Sequence, residues 1–352
     1  MDAAKFDNLF ESLDALLLFS ETNRFYFTGF RTSYGCVIVG RNTRVLITDG
    51  RYEADARKYA QGFEVVTAAG NELFEAADKI LKGMGAKKVG YEDEFVTVAA
   101  FKAVKAACKE YKLIPASADI YAKRIVKTDD EIALIAEAEA ITYRAIHKVL
   151  PYIKPGVTEK EISDHLTYAM LSGGAEALAF PNIVCFGVNT AVPHHSPSPA
   201  KRLEKNELVL LDIGARFNGY AGDMTRTFSV GTVSDKLQRI HKIVLSAQAY
   251  ALEKLKAGMT CHEADAYARE YIVANGYGEE FTHSLGHGVG IEVHEAPRLN
   301  RNADTVLKEN MVVSVEPGIY VGGLGGVRIE DLVVIKEGGI VNLTNFNKNI
   351  NL

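Results

Sequence analysis

Two stretches of this chain echo each other at an offset near one hundred residues, and that repeat limits the folds open to it. Lys154-Pro-Gly-Val-Thr158-Glu-Lys-Glu161 is matched by Lys256-Ala-Gly-Met-Thr260-Cys-His-Glu263. Each is a lysine, a turn glycine and a Thr-x-x-Glu capping box that opens a helix. The two helices are expected to end at Gly173-Gly174 and near Asn275-Gly276, where glycine suits the cap. Downstream, His194-His-Ser-Pro197 answers His294-Glu-Ala-Pro297, and the run from Lys205 to Asp212 answers that from Lys308 to Glu316. Matches in the same order predict two helix-plus-hairpin units related by a pseudo-two-fold, their equivalent residues facing one central site.

Each unit carries acids on apolar strands. LVLLDIGARFNGYAGDMTRTFSVG reads as strand, turn and strand, with Asp212 and Asp223 on either side of the turn. If Phe217-Asn218 is the loop, the two acids pair directly; if Asn218-Gly219 is the loop, they are diagonal neighbours. Both registers put them on one face. MVVSVEPGIYVGGLGGVRIEDLVVI repeats the pattern, with Glu316 and Glu330 placed symmetrically about the Gly322–Gly326 turn. Four carboxylates at one point repel unless positive charge or shifted pKa values compensate. Arg226 and Arg328 could neutralise two of them, which leaves two acids and the nearby histidines unexplained. A pair of divalent cations balances all four. His287, between Gly286 and Gly288, supplies an imidazole where glycines allow close approach. The set Asp212, Asp223, His287, Glu316 and Glu330 is rich in oxygen with one nitrogen. It favours manganese, with cobalt or iron next, over a thiolate-type zinc site; zinc on these same ligands stays open. Two such ions about 3.5–4 Å apart activate a water for hydrolysis.

The rest of the chain is expected to support this site. Up to about residue 120, short β-rich runs such as CVIVG and RVLITDG alternate with helical stretches such as RYEADARKYA and FKAVKAACKEY. This predicts an α/β domain over residues 1–120 without a Gly-rich phosphate loop, serving packing and oligomerisation. The boundary falls within Pro115–Thr128, and Thr128-Asp-Asp-Glu131 caps a helix through about Leu150 that opens the second domain, residues 121–352. A net charge of −5 with no long run of one sign argues against nucleic acid as a partner. The run LDALLLF is too short to span a membrane, and the N-terminus lacks the apolar core of a secretory signal. Four scattered cysteines form no CxxC pair and fit a reducing compartment, so a cytoplasmic enzyme is expected.

The motifs DIGARFNGYAGDMTRTF, GHGVGIEVHE, VEPGIY and VRIED resemble those of the pita-bread metallopeptidases: proline dipeptidase (prolidase), aminopeptidase P and methionine aminopeptidase. The likeness covers the C-terminal half, and the N-terminal domain resembles the creatinase type. It implies a creatinase-type α/β domain followed by an α+β pita-bread domain. Creatinase itself lacks the metal ligands, and methionine aminopeptidase usually lacks such an N-terminal domain, so the Xaa-Pro peptidases fit best. The resemblance implies that Asp212, Asp223 and Glu330 hold one metal, and that Asp223, His287, Glu316 and Glu330 hold the other. Glu316 would also take a proton from the attacking water. His194 and His294 would flank the scissile amide and stabilise the oxyanion. Arg298 resembles the arginine of microbial prolidases that receives the carboxylate of a C-terminal proline, which favours dipeptides. Arg328 would stand behind the ligands and orient a carboxylate. The expected activity is Xaa-Pro dipeptide hydrolysis by a homodimer. Aminopeptidase P activity on longer Xaa-Pro-Xaa peptides is the alternative, and a non-catalytic binding module on the same scaffold is the third reading.

Overall fold

The computed structural model describes residues 6, 9–348 and 351, which divide into two compact units at Arg124/Ile125. The N-terminal unit runs β1 (Ala15–Leu18), α1 (Glu21–Thr28), β2 (Cys36–Gly40), β3 (Arg44–Thr48), α2 (Glu53–Tyr59), β4 (Glu64–Thr67), α3 (Glu72–Gly83), β5 (Lys88–Tyr91), α4 (Val98–Ala107), β6 (Lys112–Pro115) and α5 (Ser117–Ile125). Its six strands form one sheet in the order β4-β3-β2-β1-β5-β6. The ALLL run at β1 lies fully buried near the middle of that sheet, between antiparallel β2 and parallel β5. A strand covered on both faces reads as continuous apolar sequence. The FKAVKAACKEY run is helical only as far as Ala107.

The C-terminal unit begins with α6 (Asp129–Val149) and α7 (Glu159–Ser172), then β7 (Ala177–Leu178) and β8 (Ile183–Phe186). The first acid hairpin follows as β9 (Glu207–Ile213), β10 (Ala215–Phe217), β11 (Tyr220–Ala221) and β12 (Met224–Val230). The order then repeats: α8 (Asp235–Lys254), α9 (Cys261–Ala274), β13 (Gly286–Gly288) and β14 (Glu295–Leu299). The second acid hairpin is β15 (Val312–Val315), β16 (Gly318–Val321), β17 (Gly325–Arg328) and β18 (Asp331–Lys336), with β19 (Gly339–Asn342) last. All three expected capping boxes form, at Thr128/Glu131, Thr158/Glu161 and Thr260/Glu263. Such caps are worth about 1 kcal/mol each. The echo extends to single bridges, Thr158 to Arg202 and Thr260 to Val306.

Each half has its own core. Ile141, Ile162 and Leu166 of α6 and α7 pack on Val184, Val209 and Leu211. Ile240, Val244 and Ile272 of α8 and α9 pack on Val313, Val315 and Val333. Hydrogen bonds between the two hairpins join the halves: Glu330 N–H donates to Thr225 O at 3.1 Å, and Thr227 Oγ1 to Arg328 O at 2.9 Å. Among the described residues no helix is long and apolar enough to cross a membrane, and all four cysteines are buried and unpaired.

Candidate metal centre

In the first hairpin Phe217 pairs with Tyr220, so Asn218-Gly219 is the loop. Both loop residues have positive φ, 45° and 89°, as this tight turn requires. Asp212 lies opposite Thr225, and Asp223 is therefore its diagonal neighbour on the same face. In the second hairpin Val321 pairs with Gly325 around a Gly322–Leu324 loop, shorter than the expected glycine run. The register of β15 with β18 and of β16 with β17 sets Glu316 across from Glu330. Asp223, Glu316 and Glu330 all fall at breaks between named strands. Interrupted pairing of this kind lets side chains be re-aimed.

The five proposed ligands line one cavity of about 590 Å³, together with His194, His294, Arg298, His283 and Arg328. Asp223, His287 and Glu330 each offer a donor atom within 4.8 Å of the other two. Glu316 Oε1 lies 3.2 Å from His287 Nε2 and accepts from Ser314 Oγ at 3.2 Å. Asp212 Oδ2 accepts from Arg328 Nη2 at 2.5 Å. The glycines about His287 are required by close approach. A Cβ on Gly286 would lie 1.9 Å from Ser314 O, and one on Gly288 would lie 2.1 Å from Ala296 O. His287 Nδ1 is 3.1 Å from Gly288 O, so that carbonyl accepts a hydrogen bond from Nδ1–H and Nε2 faces the acids.

The electrostatics show what the acids lack. Burial pushes the carboxyl pKa values of Asp212, Asp223 and Glu330 up. The acids around Asp223 and Glu330 add to the shift, while Arg328 partly opposes it at Asp212 and Glu330. Burial also acts to raise Glu316, but the hydrogen bond and charge of His287, with the charges of His283 and Arg328, together outweigh it and hold Glu316 at about 2. Burial would lower His287, yet Glu316 raises it. Asp212 Oδ1 and Glu330 Oε1 are buried with no hydrogen-bond partner. A buried carboxylate oxygen without a donor is costly. The ion-pair alternative accounts for only part of this charge. Arg226 turns to Asp331 at 2.8 Å, leaving Arg328 with Asp212 and, at 3.9 Å, with Glu316. Hard oxygen donors, one imidazole and two orphaned carboxylate oxygens fit divalent cations.

Several residues that sequence reasoning passed over hold this set in place. Thr225 Oγ1 donates to Glu330 Oε2 at 2.8 Å and accepts from Arg328 Nε at 3.1 Å. Tyr320 OH accepts from Arg328 Nη1 at 2.7 Å and lies 2.9 Å from His283 Nε2. Glu139 of α6, buried with its pKa pushed up to about 7, accepts the Asp223 N–H at 3.0 Å. Thr225 and Ser314 could have been found by register, being across from Asp212 and two residues before Glu316. Glu139 had no local signal. At the rim, His194, His294 and Arg298 are exposed. The His294 ring stands 4.3 Å from that of His287, and burial, then the charge of His287, lowers its pKa to about 4. Arg298 sits across from His287 in the β13–β14 pair. Phe180, Pro181, Ile183 and Pro193 make an apolar wall.

Comparison with known proteins agrees over nearly the whole chain. Residues 133–337 match metallopeptidase family M24, and residues 10–126 match the creatinase/prolidase N-terminal domain. The Xaa-Pro dipeptidase of Pyrococcus furiosus is 39% identical over 95% of this chain and 94% of its own. A solved Xaa-Pro dipeptidase from Bacillus anthracis superposes with a TM-score of 0.93 at 41% identity, covering 99% of this chain and 97% of that one. An X-Pro aminopeptidase from Thermotoga maritima gives 0.91 at 38%, covering 97% and 98%. These likenesses define a metallopeptidase. The chain belongs to metallopeptidase family M24, with an N-terminal domain of the creatinase/prolidase type, and the family implies divalent metal ions.

Proposed function

We propose that this protein hydrolyses Xaa-Pro bonds, with dipeptides ending in proline as its main substrates and manganese as its metal. Asp212, Asp223 and Glu330 would hold one ion, and Asp223, His287, Glu316 and Glu330 the other. Bound there, two divalent ions supply the charge that makes water nucleophilic at neutral pH and polarises a carbonyl. Glu316 would accept the proton of the attacking water. His294, neutral at pH 7, and His194 hydrogen-bond the substrate carbonyl as it becomes an oxyanion. Arg298 pairs with the carboxylate of the terminal proline. The apolar wall of Phe180, Pro181, Ile183 and Pro193 suits a ring whose tertiary amide has no N–H to bind.

The observation that carries this reading is the pair of orphaned oxygens, Asp212 Oδ1 and Glu330 Oε1, on the floor of a cavity of dipeptide size. The test is Mn²⁺-dependent cleavage of Ala-Pro against a longer Xaa-Pro-Xaa peptide. Failure to cut the dipeptide retires the dipeptidase form. Aminopeptidase P activity is the second reading, favoured by the likeness to the Thermotoga maritima X-Pro aminopeptidase. A cytoplasmic homodimer belongs to the same proposal, and sedimentation at working concentration tests the dimer.

A further inference from the structure

Each rim histidine is followed in the chain by a residue tied to a buried charged side chain. His195 Nε2 donates to Glu159 Oε2 at 2.8 Å, and Lys127 Nζ donates to Glu295 Oε1 at 2.7 Å. The Glu159 side chain is 0% exposed, and those of Lys127 and Glu295 are 2% and 8%. Glu159 does more than receive one histidine. Its Oε1 accepts from Phe186 N–H at 2.8 Å and Asn189 Nδ2 at 2.9 Å, and its Oε2 also accepts from Ser198 N–H at 2.9 Å. One carboxylate thus joins the end of β8, the turn after it and the His195–Ser198 loop. It is the first residue of α7, where a helix N-terminus favours negative charge. The same helix start grips the loop through its backbone, Glu159 N–H to Lys201 O and Lys160 N–H to Ser198 O, both 3.2 Å. Lys127 is likewise fixed at its root, its N–H donating to Asn310 O at 3.0 Å and its Nζ to Ile125 O at 3.3 Å.

Buried ions are costly and persist where every partner is in place. Plain loop anchoring is the simpler explanation for either pair alone. Against it stands the repeat. The residues after the two histidines, His195 and Glu295, are repeat mates, and each is held by a buried ion: Glu159 at the start of α7 in one case and Lys127, just before α6, in the other. His194 and His294 are themselves exposed, and apart from the contact of the His294 ring with His287 the backbone beside them sets their placement.

We propose that Glu159–His195 and Lys127–Glu295 are positioning pairs that aim His194 and His294 at the substrate. This rests on the reading above that those two histidines bind it. The test uses the full chain loaded with Mn²⁺. His195→Leu removes the donor, whereas His195→Gln keeps an N–H close to the Nε2 position. The leucine variant is expected to lower kcat for Ala-Pro by about tenfold with a smaller change in KM. Its metal content should match wild type, and trypsin should cut faster after Lys201 or Arg202. The glutamine variant should restore both readouts. Added to His194→Ala, His195→Leu should cost nothing further, because both act through one side chain. Lys127→Met should behave the same way on His294→Ala. Additive losses, or an unchanged kcat in His195→Leu while His194→Ala is impaired, overturn the proposal. Wild-type activity in His194→Ala instead refutes the underlying substrate-binding reading, so the two failures are told apart.

Discussion

Asp223 and His287, on the floor of the cavity, are 4% and 6% exposed, whereas His194, His294 and Arg298 at its rim stand open to solvent. The floor is held by side-chain hydrogen bonds between hairpins more than one hundred residues apart, such as Thr225 to Glu330. The rim is held through its backbone and through neighbours one residue along. On the proposed reading the difference separates two jobs. Carboxylates that must gather around cations need a rigid, dry frame, because each buried charge is stabilised only by the others' geometry. Groups that meet a substrate need access, and specificity can change there without disturbing the floor.

Substitutions test that division. Asp223→Asn removes a proposed bridging ligand from the floor, and activity should fall below detection in a Mn²⁺-supplemented assay while the far-ultraviolet circular dichroism stays native. Retained activity would erase the distinction between floor and rim. His294→Ala should lower kcat by about 10²–10³-fold, the usual cost of losing an oxyanion donor, with metal content unchanged. Loss of metal in that variant would place His294 in the floor instead. Arg298→Ala should reduce kcat/KM for Ala-Pro by about 10–100-fold, from a charged hydrogen bond worth about 1.5–3 kcal/mol. It should spare longer Xaa-Pro peptides, so equal losses on both substrates would remove Arg298 from carboxylate recognition.

The smallest effect is on pH dependence. Asp212, Asp223 and Glu330 have raised pKa values in the metal-free fold. These three groups therefore hold more protons in that fold than in the unfolded chain above about pH 4, where unfolded carboxylates titrate, while the lowered His283 and His294 act the other way below about pH 6.5. The carboxyls' contribution to stability is present below about pH 4 and is lost as pH rises through the raised values. The melting temperature of metal-free protein should thus decline as pH rises above about 6.5, where the histidines no longer oppose the carboxyls, and added Mn²⁺ should raise it more at about pH 8 than at about pH 6.5. A metal-induced shift that shrinks as pH rises contradicts this. Buried Glu139, near 7, adds to the same slope.

Much of this was legible in the sequence because it is local. Capping boxes at Thr128, Thr158 and Thr260 need only four residues each, and either turn open to the first hairpin puts Asp212 and Asp223 on one face, the fold choosing Asn218-Gly219. Symmetry about a turn located Glu316 and Glu330. Which donors lie nearest one another was not legible, since that depends on how one hairpin crosses the other. Asp223, His287 and Glu330 form the tight group, while Asp212 leans to Arg328. Thr225, Tyr320 and Glu139 escaped notice because their roles are long-range, Glu139 reaching Asp223 across 84 residues of chain. The central position of β1 was hidden for the same reason, as strand order is not written in any single strand.

Counting ions on the purified chain tests the central claim most directly. After reconstitution with Mn²⁺ and removal of excess, elemental analysis should find two ions per wild-type chain and fewer than one in Asp223→Asn. Fewer than one ion on a wild-type chain that still cleaves Ala-Pro would contradict the claim that these carboxylates gather around paired cations.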